Sequence, residues 1–423
     1  MDERKIDKEF AYLESLNARG IRTDLTVMER ALALMGDPHE ALNKIVVGGT
    51  NGKGSVVSFI GSALAAAGYK PGLYYSPHIV DFRERIIVGS EMITVSEAAS
   101  LINRVREIVD TPLKPTYFEF ITLMAFVHFK DVGVNPAVME VGLGGRFDAV
   151  NVGMPAVSVI TNVSLDHTQY LGRTPEEIAL EKVQILPEGG MLIVGRVDDS
   201  VRSLLKGEAE ERGAASYFLG EDFSYDLDEA GDAVYRGIEF TLSDISIGLP
   251  GAHQAQNVAV ALAVLEVLRE MGYKVPGGAM KEGVGNIYLP GRMEVIARSP
   301  EVIVDVAHNV DAAMALVEHL TTLPVKKTAF VVGMMRDKDI KGFLKILDLE
   351  GEGIFLTGLN VPRAAGVDEM ARDASCLKTP VRLFDNMTEA LSAARDFAGE
   401  GGRVVVTGSF YTVEAAVREL GGL

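Results

Sequence analysis

Gly48-Gly49-Thr50-Asn51-Gly52-Lys53-Gly54-Ser55 follows the apolar run Ile45-Val46-Val47 and precedes a helical pattern that starts near Val56. Strand, glycine-rich turn, lysine, hydroxyl and helix is the order that cradles a nucleotide triphosphate. Turn N–H groups and the helix N-terminus receive phosphate oxygens, Lys53 adds a point charge, and Ser55 can reach Mg²⁺. The standard P-loop places Ser or Thr directly after the lysine, whereas Gly54 intervenes here. Taken alone, the stretch also fits an ordinary βα turn.

Outward from this turn, short apolar strands are expected at 72–75, 137–141, 156–161 and 191–194. Helical patterns cover 6–17, 57–67, 95–109, 117–129 and 175–186. The alternation predicts an α/β fold with a mostly parallel, P-loop-type central domain. Between about 217 and 249 the rhythm changes to strand-like pieces with acidic, glycine-containing turns, read as antiparallel hairpins on the edge of that sheet. Helices return at 254–271 and about 279–285. Leu289-Pro290-Gly291 then marks a domain junction. Strands expected at 302–306, 328–332, 353–357, 381–384 and 403–407 alternate with helices and make a smaller, Rossmann-like α/β C-terminal domain. The division is therefore 1–290 and 291–423.

The formal charge of −18 over 423 residues argues against a nucleic-acid backbone as partner, which needs a basic surface. It also means that anionic substrates require local basic residues. The single cysteine, Cys376, excludes an intramolecular disulfide framework and a cysteine-rich zinc site. No stretch approaches the ~18 apolar residues of a membrane span, and the charged start Met1-Asp2-Glu3-Arg4-Lys5 lacks a signal-peptide apolar region. These features predict a cytoplasmic protein with no membrane partner.

Polar residues gather after the later strands, where ligands collect in open α/β sheets. Ser76-Pro77-His78 follows the second strand: Ser76 could ligate a metal and His78 could contact substrate, though Ser and Pro also simply turn a chain. Glu140 ends an apolar strand and precedes Gly142-Leu143-Gly144-Gly145; a buried carboxylate is costly unless paired or bound to a cation. Asp166-His167 follows another strand and offers further metal or phosphate ligands, against the plain alternative of a structural histidine. Glu181-Lys182 reads either as a solvated charge pair or, if the lysine is carbamylated, as an anionic oxygen donor. In the C-terminal part, Asp305-Val306-Ala307-His308-Asn309 follows a strand and opens a helix. Asp305 is placed to bind an amine and His308 and Asn309 to face phosphate or carboxylate, while Asn309 also suits a helix N-cap. Arg336, Lys338 and Arg363 add local positive charge.

These residues resemble the folylpolyglutamate synthase/dihydrofolate synthase family of the Mur-ligase superfamily. The matching pieces are Gly49–Ser55, Ser76-Pro77-His78 with Glu84-Arg85-Ile86, Tyr117-Phe118-Glu119-Phe120, Glu140 to Gly145, Asp166-His167 and Glu181-Lys182. They continue through Gly251-Ala252-His253-Gln254 with Asn257, Pro290-Gly291-Arg292 and Asp305 to Asn309. The lysine-glycine-serine order is this superfamily's own form of the loop.

The resemblance implies an ATP-dependent amide ligase with an ATP-binding domain and a C-terminal glutamate-ligase domain. Gly49, Thr50, Asn51, Gly52, Lys53, Gly54 and Ser55 would line the phosphates, with Asn257, Arg292, Asp305 and His308 also at the nucleotide. Two Mg²⁺ ions would be held by Ser55, Ser76, Glu140, His167 and a carbamylated Lys182, and a monovalent cation is a further candidate. Lys53, Lys182, Asp305 and His308 would be catalytic. Ser76, Pro77, His78, Phe118 and Glu119 would bind the acceptor, in forms associated with dihydropteroate use. The implied partners are ATP, L-glutamate and a dihydropteroate- or tetrahydrofolate-like acceptor, with the protein a monomer. Val183-Gln184-Ile185 stands where the family usually has Ala-Gly-Ile, and Gly408-Ser409-Phe410-Tyr411 matches the C-terminal motif only in part. A cell-wall Mur ligase would carry a UDP-binding domain before the loop, for which the first 47 residues are too few. A nucleotide-dependent binding module lacks support from any Asn-Lys-x-Asp guanine-reading motif and leaves Glu140 and His167 without a role.

Overall fold

The computed structural model describes residues 3–228 and 231–421. The chain separates into two units. The first comprises residues 1–77, 82–248 and 255–287; the second comprises 78–81, 249–254 and the chain from Tyr288 onward.

The first unit is built on an eight-stranded sheet. Its order is Glu91–Met92, Ile86–Val88, Gly72–Tyr74, Ala137–Glu140, Lys44–Gly48, Val157–Asn162, Met191–Arg196 and Ala215–Phe218. The first two pairings are antiparallel and the rest are parallel. Every residue of Lys44–Gly48 and of Ala137–Glu140 is buried, as expected of central parallel strands covered on both faces. In register, Val47 lies beside Glu140 and Gly48 beside Ile160, so the glycine turn leaves the sheet next to the carboxylate strand. Helix Tyr117–Asp131 packs one face of the core and starts at a capping box between Thr116 and Glu119. Lys44 is a buried cation at the opposite end of the central strand. Its ammonium donates to the Val152 carbonyl, and burial lowers its pKa to about 8.

Two sequence expectations change here. Of the pieces between 217 and 249, only Tyr217-Phe218 joins the large sheet, as the end of its parallel edge strand, and the rest do not. Ser224–Leu227, Ala233–Arg236 and Thr241–Ile245 form a separate three-stranded antiparallel sheet, and the antiparallel edge of the large sheet comes from Ile86–Val88 and Glu91–Met92. The helix after the glycine turn begins at Lys53, earlier than expected, and the helix from Pro175 stops at Lys182, followed by a 3₁₀ turn.

The second unit carries a six-stranded sheet, in the order Glu294–Arg298, Glu301–Val304, Arg403–Thr407, Thr328–Val332, Gly353–Thr357 and Val381–Phe384. Only the first pairing is antiparallel. Apolar clusters pack around the sheet, one through Phe330, Phe343 and Ile354, another through Val304, Val406 and Ile79. Among the described residues, no helix is long and apolar enough to cross a membrane.

Candidate active site

The glycine turn is held by the neighbouring strand end. The Thr50 amide donates to the Asn162 carbonyl at 3.1 Å and the Asn51 amide to Asn162 Oδ1 at 2.9 Å. Thr161 Oγ1 donates to the Asn51 carbonyl at 2.6 Å. Gly52 takes φ 80°, a left-handed conformation, and a Cβ there would lie 2.4 Å from Asn257 Oδ1. Only glycine lets the turn close while Asn257 approaches. The helix Lys53–Ala66 then places the amides of Lys53, Gly54 and Ser55 in its first turn, where no preceding carbonyl can satisfy them within the helix. Lys53 Nζ folds back to the Thr50 carbonyl at 2.9 Å. This is an anion cradle with its lysine on the rim.

Glu140 sits beside this cradle. It is 6% exposed, and its Oε2 accepts from the Ser76 amide at 3.1 Å, which joins two of the residues expected at the metal. Among the described residues, no group of three or more His, Cys, Asp and Glu side chains could hold a metal ion. The donor set nevertheless fits Mg²⁺, which prefers hard oxygen ligands and is bound through one or two carboxylates with waters and phosphates completing the shell. Glu140 with the hydroxyls of Ser55 and Ser76 supplies that chemistry. His167 adopts φ 48° and starts a short helix; its amide donates to Asp166 Oδ1 at 2.8 Å. Lys182 is buried, and its Nζ donates to the Gly49 carbonyl at 2.7 Å, which places it under the glycine turn.

Asp148, three residues beyond Gly145, shapes this part of the site. Buried after the glycine run, it accepts from the amides of Gly142 and Leu143 at 2.9 Å each and of Val150 at 3.0 Å. Burial raises its pKa to about 6, opposed by these hydrogen bonds and by Lys53. Asp148 thus shapes the loop that follows Glu140. Phe118 lies against that loop, since a Cβ at Gly142 would come within 2.7 Å of its ring. Glu119 is buried and engaged: its Oε2 accepts from the Thr116 amide at 2.6 Å and its Oε1 pairs with Arg22 at 3.2 Å. Its carboxylate therefore serves the helix start.

Ser76 and Pro77 fall in the first unit and His78 in the second. In the second unit, Asp305 accepts from the amides of Met293 and Ala307 at 3.0 and 2.9 Å. Burial raises its pKa and the Arg292 guanidinium opposes the rise. His308 Nδ1 lies 2.9 Å from the Val306 carbonyl, and the Phe410 ring stands near both His308 (6.0 Å between ring centres) and Arg292 (5.6 Å). Phe410 is the residue of the partly matching C-terminal motif that joins this group. Asn309 caps the following helix, accepting from the Ala312 amide at 2.9 Å. Arg336 is tied to Glu369 at 3.2 Å and to the Ala364 carbonyl at 3.1 Å.

A parallel sheet whose glycine-lysine loop stands beside a strand-end carboxylate, followed by a second α/β unit with an Asp–Arg–His group, defines an ATP-dependent ligase of the Mur type. The Mur ligase middle domain matches residues 47–265, and the Mur ligase glutamate ligase domain matches residues 291–410. The chain is 35% identical to dihydrofolate synthase/folylpolyglutamate synthase of Escherichia coli over 405 residues, covering 95% of this chain and 92% of that one. It superimposes on Mycobacterium tuberculosis folylpolyglutamate synthase complexed with ADP and AMPPCP with a TM-score of 0.90 at 30% identity, covering 98% and 99% of the two chains. A bifunctional folylpolyglutamate synthase/dihydrofolate synthase with Mn, AMPPNP and L-glutamate bound gives a TM-score of 0.85 at 30% identity, covering 98% of each chain. The chain belongs to the dihydrofolate synthase/folylpolyglutamate synthase family.

Proposed function

We propose that this chain uses ATP to join L-glutamate to the carboxylate of a pterin or folate acceptor, with both dihydrofolate synthase and folylpolyglutamate synthase activity. The observation that carries the reading is the register of Val47 beside Glu140, which stands a strand-end carboxylate next to a phosphate cradle. A carboxylate is a poor electrophile. Transfer of the γ-phosphoryl group gives an acyl phosphate, and the glutamate amine then attacks its carbonyl, forming the amide as phosphate leaves and the amine loses a proton. In this reading Lys53 and the amides of residues 52–55 hold the phosphates and offset their repulsion from the acceptor carboxylate. Mg²⁺, held by Ser55, Ser76, Glu140, His167 and Lys182, would neutralise phosphate charge when bound. Asn257 and Arg292 serve the nucleotide, and Asp305 and His308 serve its phosphate and the incoming amino acid. Ser76, Pro77, His78, Phe118 and Glu119 serve the acceptor.

Residues 1–290 serve nucleotide binding and 291–423 glutamate binding. Carbamylation of Lys182 is part of the reading: a carbamate keeps one N–H on Nζ, so the bond to the Gly49 carbonyl survives while the new carboxylate turns to a cation. A monovalent cation, a monomeric state and a cytoplasmic location complete it. The experiment incubates enzyme, MgATP and labelled glutamate with dihydropteroate and, separately, with tetrahydrofolate. Labelled amide and acceptor-dependent ADP release are expected with both. Absence of product with either acceptor removes the folate assignment. Intact mass in bicarbonate tests the carbamate, expected as an added CO₂ that is lost in Lys182→Arg.

A further inference from the structure

Ser58 lies one helical turn after Gly54, and its hydroxyl donates to the Gly54 carbonyl at 2.8 Å. The same Oγ is 2.8 Å from the Tyr75 hydroxyl. A serine has one hydroxyl hydrogen, and a carbonyl can only accept. The Ser58 hydrogen is therefore spent on Gly54, and Tyr75 must be the donor to Ser58. Tyr75 itself is fixed by its amide, which donates to the Arg85 carbonyl at 3.0 Å. The next residue in the chain is Ser76, whose amide holds Glu140.

We propose that Tyr75 and Ser58 are positioning residues: their hydrogen-bonded chain, Tyr75 O–H to Ser58 O–H to Gly54 carbonyl, fixes the phosphate loop at a set distance from the Ser76–Glu140 pair. Two hydroxyls in series polarise one another, and an enclosed hydroxyl that loses its partner is penalised. The chain thus resists separation of the loop from the carboxylate strand. A nucleotide whose phosphates share a cation with Glu140 needs that separation to be constant.

The inference rests on the phosphate-cradle reading of Gly48–Ser55. The test titrates AMPPNP into the full-length protein, once with Mg²⁺ and once in EDTA, for wild type, Tyr75→Phe, Ser58→Ala and the double variant. Phenylalanine fills the ring's space, and thermal unfolding checks folding. Each single variant is expected to weaken MgAMPPNP binding by about three- to tenfold while leaving the EDTA value within about twofold. The double variant is expected to be no weaker than the weaker single, because both changes cut one chain. Wild-type-like MgAMPPNP affinity in both singles overturns the strut, even if melting temperatures fall, and so does additivity in the double variant. Wild type that binds no MgAMPPNP overturns the cradle reading and the strut together; wild type that binds with unaffected variants overturns the strut alone.

Discussion

Replacing Glu140 by glutamine keeps size and hydrogen-bonding reach to the Ser76 amide and removes one charge beside the phosphate loop. Ligation is expected to fall on the order of a hundredfold, with the unfolding midpoint little changed; near-normal turnover would show that the charge is not needed. Asp148 gives a pH-dependent signal. Its folded pKa of about 6 stands above the ordinary aspartate value of 3.8, so the native state binds this proton more tightly than the unfolded chain. The stability it contributes is fully present below about pH 4 and is lost as pH rises through about 6. The margin of wild type over Asp148→Asn, measured by urea unfolding, should therefore shrink between pH 4 and 6.5; a constant margin would contradict the assignment. The strand-end placement of Lys53, Ser76 and Glu140 was legible in the sequence because each ends or follows an apolar run, and strand ends are where ligands gather in such sheets. Asp148, Thr161 and Asn162 were not given roles, since their partners are backbone amides and carbonyls whose approach depends on the fold. Glu119 is the instructive case. The Thr116–Glu119 spacing is itself a capping-box pattern, a local signal for the bond that engages the carboxylate.

Strands buried on both faces announce themselves as apolar runs, and 44–48, 137–140 and 403–407 were readable for that reason. Pairing is not local, and that is where the sequence reading failed. Residues 224–245 have the alternation and turns of hairpins, but nothing in them says that they pair only with one another. A buried carboxylate on helix His253–Glu270 gathers donors from this small sheet and the turn beside it. Glu266, 3% exposed, accepts from the Tyr235 hydroxyl at 2.5 Å and from the amides of Ile238, Glu239 and Phe240 at 2.8, 3.1 and 3.2 Å. Arg269, one turn on, covers the Phe240 ring at 4.9 Å. Glutamine at 266 would turn an N–H₂ group toward these donors. Glu266→Gln is expected to cost about 1–3 kcal/mol in urea unfolding and to speed amide exchange across 224–245, with MgAMPPNP affinity unchanged. Unaltered exchange in those strands would show that the carboxylate is not their anchor.

At the scale of the whole molecule, the second unit is not one continuous length of chain: residues 78–81 and 249–254 belong to it although they lie far upstream of Tyr288. The upstream segment brings a core residue. Ile79 is 6% exposed and lies in the cluster that contains Val304, Val306, Val406 and Val413, and the Val80 carbonyl accepts from Arg418 Nη2 at 3.0 Å. Leu289-Pro290-Gly291 shows in the sequence as a break in rhythm, whereas a four-residue excursion has no periodicity to reveal it. Its consequence can be measured in the intact chain. Ile79→Ala removes buried apolar volume and leaves a cavity among branched side chains, a change that typically costs about 2–4 kcal/mol. Because Ile79 packs within the second unit, the loss should fall there. Amide exchange should quicken in Glu301–Val304, Arg403–Thr407 and Phe410–Glu419, while Lys44–Gly48 keeps its protection. Equal loss of protection in both units would mean that they unfold as one body, and no loss in either would mean that the site collapses around the smaller side chain.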